Sequence, residues 1–260
     1  MRRKDTKNLS IRKKNTTFAR IFSLIALLLN MKPNTFIHHI SKDLIHWMPL
    51  AEFNGEVFVV QKAEEVDEAV DYLLQQPLLG VDTEARPSFV RGVHHPTALV
   101  QIATEQRCYL FRLSVIGMPQ QLTEVFSNPK IRKVGLAFKD DLSGLRRLRN
   151  FTPRNCVDIQ KMVANYGILD LGLQKIFAIC FGKKISKSQQ LTNWENAQLT
   201  PPQARYASTD AWATLLIYKE LKQTQTLPAK QVEELKRIDI ERLKQHQQEL
   251  LAQRQQTADK

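Results

Sequence analysis

A chain of 260 residues, 43% hydrophobic and 25% charged, is long enough for one large domain or two small ones, and its composition argues against a disordered or collagen-like polymer. The formal charge is +12, but eight basic side chains set against Asp5 in residues 1–20 supply +7 of it. The body is only mildly basic, so charge alone does not assign a polyanionic partner. Cys108, Cys156 and Cys180 lie far apart with no CxxC pair. That argues against a disulfide framework or a cysteine zinc site and fits a reducing, cytoplasmic setting.

The basic N-terminus leads into "IFSLIALLLN" (21–30), an apolar run too short for a bilayer span of about 20 residues. It reads as an unusual export signal without a cleavage site, as an interfacial anchor, or as a disordered stretch upstream of a start at Met31. Residues 1–44 are therefore set apart as an extension, residues 45–227 as the globular domain and residues 228–260 as a tail. No stable membrane partner is expected.

"EVFVVQ" (56–61) is a β-branched, aromatic run that predicts a strand. Val66, Ala69, Val70, Leu73 and Leu74 follow at helical spacing, and Pro77 closes that helix. "LLGVDTE" (78–84) is a second strand. "TALVQIAT" (97–104) and "RCYLFRL" (107–113) are two more, joined closely enough for a hairpin. A short helix is predicted over 118–128, a strand over 131–138 and a helix over 140–150. "VDIQKMVANYG" and "LGLQKIFAICFG" read as helices stopped by glycine. Thr200 caps a long helix over 200–221 with proline at its first position. The tail carries only a thin apolar stripe on a charged, glutamine-rich helix, which reads as a solvated helix or a partner-binding one. Strands meandering first and helices gathering later predict an α/β fold, a mixed sheet with helices on both faces.

Three acidic features stand out. On a strand, residues i and i+2 share a face, so Asp82 and Glu84 point the same way and Thr83 the other. Paired carboxylates repel unless a hard cation such as Mg²⁺ sits between them, or unless both lie in water beyond the strand end. "KVGLAFKDDLSGL" runs a second strand into Asp140-Asp141 at a helix start, where aspartate is also an ordinary cap. Tyr206 and Asp210 are i and i+4 on the long helix, hence on one face, with small Ala207 and Ala211 permitting close approach to a sheet. Asp71, Asp158 and Asp170 read as caps or surface residues.

Taken in order, strand-DxE, strand-to-helix Asp and helix-YxxxD resemble the DEDDy family of 3′–5′ exonucleases on a ribonuclease H-like fold. "VDTEARPSF" and "TALVQIAT" resemble its first motif, "KVGLAFKDDLSGL" its second and "NWENAQLTPPQARYASTDAWATLLIYKEL" its third. The resemblance covers residues 55–222 and is closest to bacterial stand-alone enzymes and Werner-type exonuclease domains, with ribonuclease D more distant. It implies a catalytic set of Asp82, Glu84, Asp141, Tyr206 and Asp210, and counting from Gly135 selects Asp141 over Asp140. It implies two divalent cations, Mg²⁺ or Mn²⁺, held by the four acids, with Asp82 bridging both and the Tyr206 hydroxyl orienting the attacking water. The implied substrate is DNA or RNA with a free 3′ end, shortened by release of nucleoside 5′-monophosphates. Thr83, Phe89 and Arg91 are candidates for substrate contact, and Lys183, Lys184 and Lys187 for phosphate contact or a solvated basic loop. The alternative is a catalytically silent nucleic-acid-binding module on the same fold.

Overall fold

The structure, a computed structural model, describes residues 36–258. The apolar run at 21–30, with the export, anchor and upstream-start readings attached to it, lies outside the described residues.

A six-stranded mixed sheet forms the centre. Its strands are β1 (Glu56–Val60), β2 (Leu78–Ala85), β3 (Thr97–Ala103), β4 (Arg107–Phe111), β5 (Arg132–Gly135) and β6 (Cys156–Asp158), ordered β1-β4-β3-β2-β5-β6. β3 pairs antiparallel with β2 and β4, while β1 with β4, β2 with β5 and β5 with β6 are parallel. The register of β2 is what matters for function. It pairs with β3 from Gly80 to Ala85, but with β5 only from Leu78 to Gly80. Beyond Gly80 its second edge is therefore open, and the stretch carrying Asp82 and Glu84 lines a gap in the sheet.

The helices are α1 (Lys42–Trp47), α2 (Val66–Leu74), the single turn α3 (Leu113–Ile116), α4 (Gln120–Ser127), α5 (Phe138–Leu148), α6 (Leu173–Phe181), α7 (Pro201–Gln223) and α8 (Ala229–Ala258). Val66, Val70 and Leu73 of α2, Leu122 and Phe126 of α4, and Phe138 and Leu145 of α5 bury one sheet face with Leu79, Val81, Val100 and Ile102. Each such side chain, fully buried, contributes about 1.5–3 kcal/mol. α7 crosses the other face. A Cβ at Gly80 would lie 2.1 Å from the Ala211 carbonyl oxygen, so only glycine lets α7 ride this close to β2. The Thr200–Gln203 capping box and Pro201 start α7 where the sequence places it.

The structure departs from the sequence reading in three places. The strand predicted over 131–138 stops at Gly135, because Ala137 adopts a left-handed conformation (φ 53°) and α5 begins at Phe138. The helix predicted over 157–167 is instead β6 followed by two 3-10 turns. The Asp158 carboxylate accepts from the Gln160 and Ala137 amides, and a non-local strand pairing outweighs local helical spacing there. Packed structure also begins upstream of residue 45. Ile40 is buried and its amide donates to Asp170 Oδ2 at 2.8 Å, so Asp170 is an interior anchor rather than a surface residue. In α8, Val232 is buried and Asp239 meets His39 Nε2 at 2.9 Å, while residues 241–251 are exposed. No helix among the described residues is long and apolar enough to cross a membrane.

Candidate active site

Three carboxylates converge where β2 outruns β5. Asp82 and Glu84 share the β2 face toward α7, as their alternation requires, and Asp210 comes down from α7. One oxygen from each lies within 4.8 Å of the others. Tyr206 sits one helical turn before Asp210, and its ring packs 6.0 Å from that of Trp194, which is fully buried. Asp141 arrives from the opposite side of the sheet, in the first turn of α5. The Thr83 hydroxyl, on the other face of β2, donates to Asp141 Oδ1 at 2.5 Å. Asp140 is exposed at the neighbouring position.

Burial raises the pKa of all four acids, and the neighbouring carboxylates of the set raise Asp82 and Glu84 further. Desolvation, then the charges of Asp141, Asp210 and Glu84, push Asp82 well above the usual carboxylate range. Desolvation, then Asp210 and Asp141, lift Glu84 to about 9. Asp210 is pushed up to about 7 by burial, with Tyr206 and Lys187 pulling it back. Asp141 rises to about 6, burial outweighing the Thr83 hydroxyl that favours its anion. Burial and the Asp210 charge raise the Tyr206 phenol. Asp141 Oδ2 and Asp210 Oδ1 are buried without a hydrogen-bond partner. Orphaned carboxylate oxygens in a set made only of hard donors fit a divalent cation, which would satisfy them and reverse the mutual repulsion.

A residue the sequence reading did not single out belongs to this arrangement. Gln101 of β3 is the Cα partner of Asp82, is completely buried, and donates from Nε2 to Asp82 Oδ2 at 3.1 Å. It was visible as the single large polar side chain in the apolar run "TALVQIA".

A cavity of ≈ 310 Å³ opens over the acids, with Asp82, Glu84, Tyr206 and Asp210 on its lining and Thr83 beside them. Phe89 (85% exposed) and Arg91 stand in the loop after β2, outside that lining.

A mixed sheet with helices on both faces, its acids supplied by a central strand and a crossing helix, defines a ribonuclease H-like fold. The solved exonuclease domain of Aedes aegypti Nibbler superposes with a TM-score of 0.59 at 22% identity, covering 71% of this chain and 99% of that one. Escherichia coli RNase D does so with a TM-score of 0.58 at 22% identity, over 65% of this chain and 44% of that one. Residues 57–225 match the family model described as 3′-5′ exonuclease, and the chain belongs to that family. Among relatives, the Drosophila melanogaster exonuclease mut-7 homolog is 31% identical over 190 residues, 64% of this chain and 30% of that protein. The Mus musculus bifunctional 3′-5′ exonuclease/ATP-dependent helicase WRN is 29% identical over 185 residues, 67% of this chain. The match spans only 13% of that helicase.

Proposed function

We propose that this protein is a 3′–5′ exonuclease that hydrolyses the terminal phosphodiester of DNA or RNA and releases nucleoside 5′-monophosphates. The observation that carries the reading is the meeting of Asp82, Glu84 and Asp210 within 4.8 Å at the foot of an open cavity. Asp82, Glu84, Asp141 and Asp210 would hold two divalent cations, Mg²⁺ or Mn²⁺, in a cytoplasmic setting. When bound, such ions supply a nucleophile at neutral pH and offset the charge gathered on the leaving oxygen.

The chain's own contribution is position. β2 is hydrogen-bonded along β3 throughout its acidic stretch, so Asp82 and Glu84 are mounted on a rigid element. Trp194 packs on Tyr206, and the Tyr206 hydroxyl, on the cavity lining with Asp210, orients the attacking water. The water oxygen bonds to phosphorus as the P–O3′ bond breaks. Its proton is released and the departing 3′-oxygen takes one up. Phe89 and Arg91 are proposed to meet the bases and phosphates of the 3′ end, as stacking and charge contacts do for single strands generally. Trypanosoma brucei RNase D, solved in complex with RNA U12, shares this fold with a TM-score of 0.59 at 18% identity, which supports RNA as one substrate.

The test is direct. 5′-labelled single-stranded DNA and RNA are incubated with Mn²⁺ and the protein, in parallel with Asp82→Ala. A ladder shortening from the 3′ end, lost in the variant, is expected. Binding of either strand without shortening would instead favour a silent binding module.

A further inference from the structure

Lys187 lines the cavity that holds the acids, and among the described residues it is the single cation on that lining. Its neighbours in sequence are occupied elsewhere. Lys184 donates from Nζ to the His46 carbonyl at 2.5 Å, and Lys183 is exposed outside the cavity. The other nearby basic groups are paired: Arg86 lies 3.7 Å from Glu195, and Arg205 lies 3.5 Å from Glu52. The Lys187 ammonium makes no ion pair or side-chain hydrogen bond among the described residues.

The backbone that carries Lys187 is held firmly. Ile185 is buried and its carbonyl accepts from Gln174 Nε2 at 2.6 Å. The Lys184 amide donates to the Pro49 carbonyl, and its carbonyl accepts from the Ala51 amide at 2.8 Å. Immediately around Lys187, the Ser186 hydroxyl donates to the Ser188 hydroxyl at 3.0 Å and accepts from the Ser188 amide at 3.1 Å. A flexible lysine is thus presented from a fixed turn. Its charge faces the site, since Lys187 shares the cavity lining with Asp82, Glu84 and Asp210. An ammonium left unpaired beside clustered carboxylates is arranged for a third party that carries negative charge.

We propose that Lys187 is a substrate-binding residue whose ammonium contacts a non-bridging oxygen of the terminal phosphodiester from the non-acidic wall of the cavity. This rests on the exonuclease reading and adds to it the group that recognises the phosphate without a cation. The physical need is plain. The carboxylates repel a phosphate wherever cations leave their charge uncompensated, and one fixed counter-charge restores attraction to the atom that must be positioned.

The test is a cycle between protein and substrate. Wild type, Lys187→Met and Lys187→Arg are titrated in EDTA with two labelled single strands. One ends in an ordinary phosphodiester, the other in an uncharged methylphosphonate linkage at the same place. Hydrolysis of the first strand is then followed in Mn²⁺. Lys187→Met is expected to weaken binding of the diester strand about tenfold, the range of a single charge-assisted hydrogen bond at an exposed site. It should raise KM correspondingly, leave the methylphosphonate strand unaffected, and leave the melting temperature unchanged. Lys187→Arg should keep most of the diester affinity. Equal losses on both strands, or no loss on either, would overturn the assignment. If wild type does not cleave the diester strand in Mn²⁺, the exonuclease reading fails, while the binding cycle still decides Lys187.

Discussion

The Thr83 hydroxyl donates to Asp141 Oδ1 at 2.5 Å, and this bond ties α5 to β2 from the face opposite Asp82 and Glu84. β2 thereby organises acids on both of its sides. The bond favours the Asp141 anion, whose pKa is already raised to about 6 by burial. Thr83→Val removes the donor at nearly constant volume and leaves Oδ1 orphaned beside the already orphaned Oδ2. The Asp141 pKa should then climb further, and the acid limb of the nuclease pH profile should move to higher pH. Thr83→Ser should restore it. Coincident limbs for wild type and Thr83→Val between pH 5.5 and 8 would count against this role.

Stability without metal should fall as pH rises. Glu84, Asp141 and Asp210 carry pKa values of about 9, 6 and 7, and Asp82 is raised too, against about 4 in an unfolded chain. The folded protein therefore keeps protons that the unfolded chain has released, and linkage makes stability drop from about pH 4 through pH 9. In EDTA the melting temperature should fall by roughly 5 °C or more between pH 5 and pH 9. Asp210→Asn should flatten part of that slope. Mn²⁺ should raise the melting temperature most at the alkaline end, where it competes least with protons. A metal-free melting temperature that stays level or rises with pH would refute the electrostatic account.

Gln101→Leu tests the support beneath Asp82. The change removes the Nε2 donor, and it also removes Gln101 Oε1, which is buried without a partner. Stability should change little, since the bond lost by buried Asp82 Oδ2 is offset by removal of the unpartnered amide oxygen. Activity at limiting Mn²⁺ should fall about 10- to 100-fold, as with other residues that orient a metal ligand. Thermal unfolding and a Mn²⁺ activation curve on one preparation separate the two effects. Loss of both together would mean that Gln101 serves folding alone.

The tail divides into a docked and a free part. Val232 is buried, and Asp239 joins His39 at 2.9 Å and Arg242 at 2.8 Å, whereas residues 243–251 are exposed. Ending the chain after Leu243 should leave the melting temperature within about 1 °C, in keeping with loss of solvated helix alone. Ending it after Leu227 should lower it measurably by removing Val232 and the His39 link. Nuclease activity that survives the shorter truncation makes the free part accessory. Equal melting temperatures for both truncations would show that α8 contributes nothing to the fold.

Much of the site was legible because its signals are short-range. Asp82 with Glu84 follows from strand alternation, and Tyr206 with Asp210 from the helical turn, so each pair could be read from spacing alone. The choice of Asp141 over Asp140 came from the resemblance to a known family, and the structure sets Asp141 against Thr83 while Asp140 faces solvent. β6 was not legible, because Cys156–Asp158 reads locally as the start of a helix and becomes a strand only beside β5. Gln101 was visible as an oddity but had no partner until β3 lay against β2.

Periodicity and capping in the chain itself are enough to set the α/β class, the long helix started by Thr200 and Pro201, and the faces on which the acids lie. Tertiary structure alone decided that those faces meet. Gly80 brings α7 onto β2, the early end of β5 at Gly135 leaves the acidic stretch of β2 with an open edge, and the Ala137 turn points Asp141 back toward Thr83. The reason is physical. Local sequence governs which side of an element a carboxylate occupies, but its pKa and its value as a ligand depend on which other charges are desolvated with it, and those arrive from distant parts of the chain.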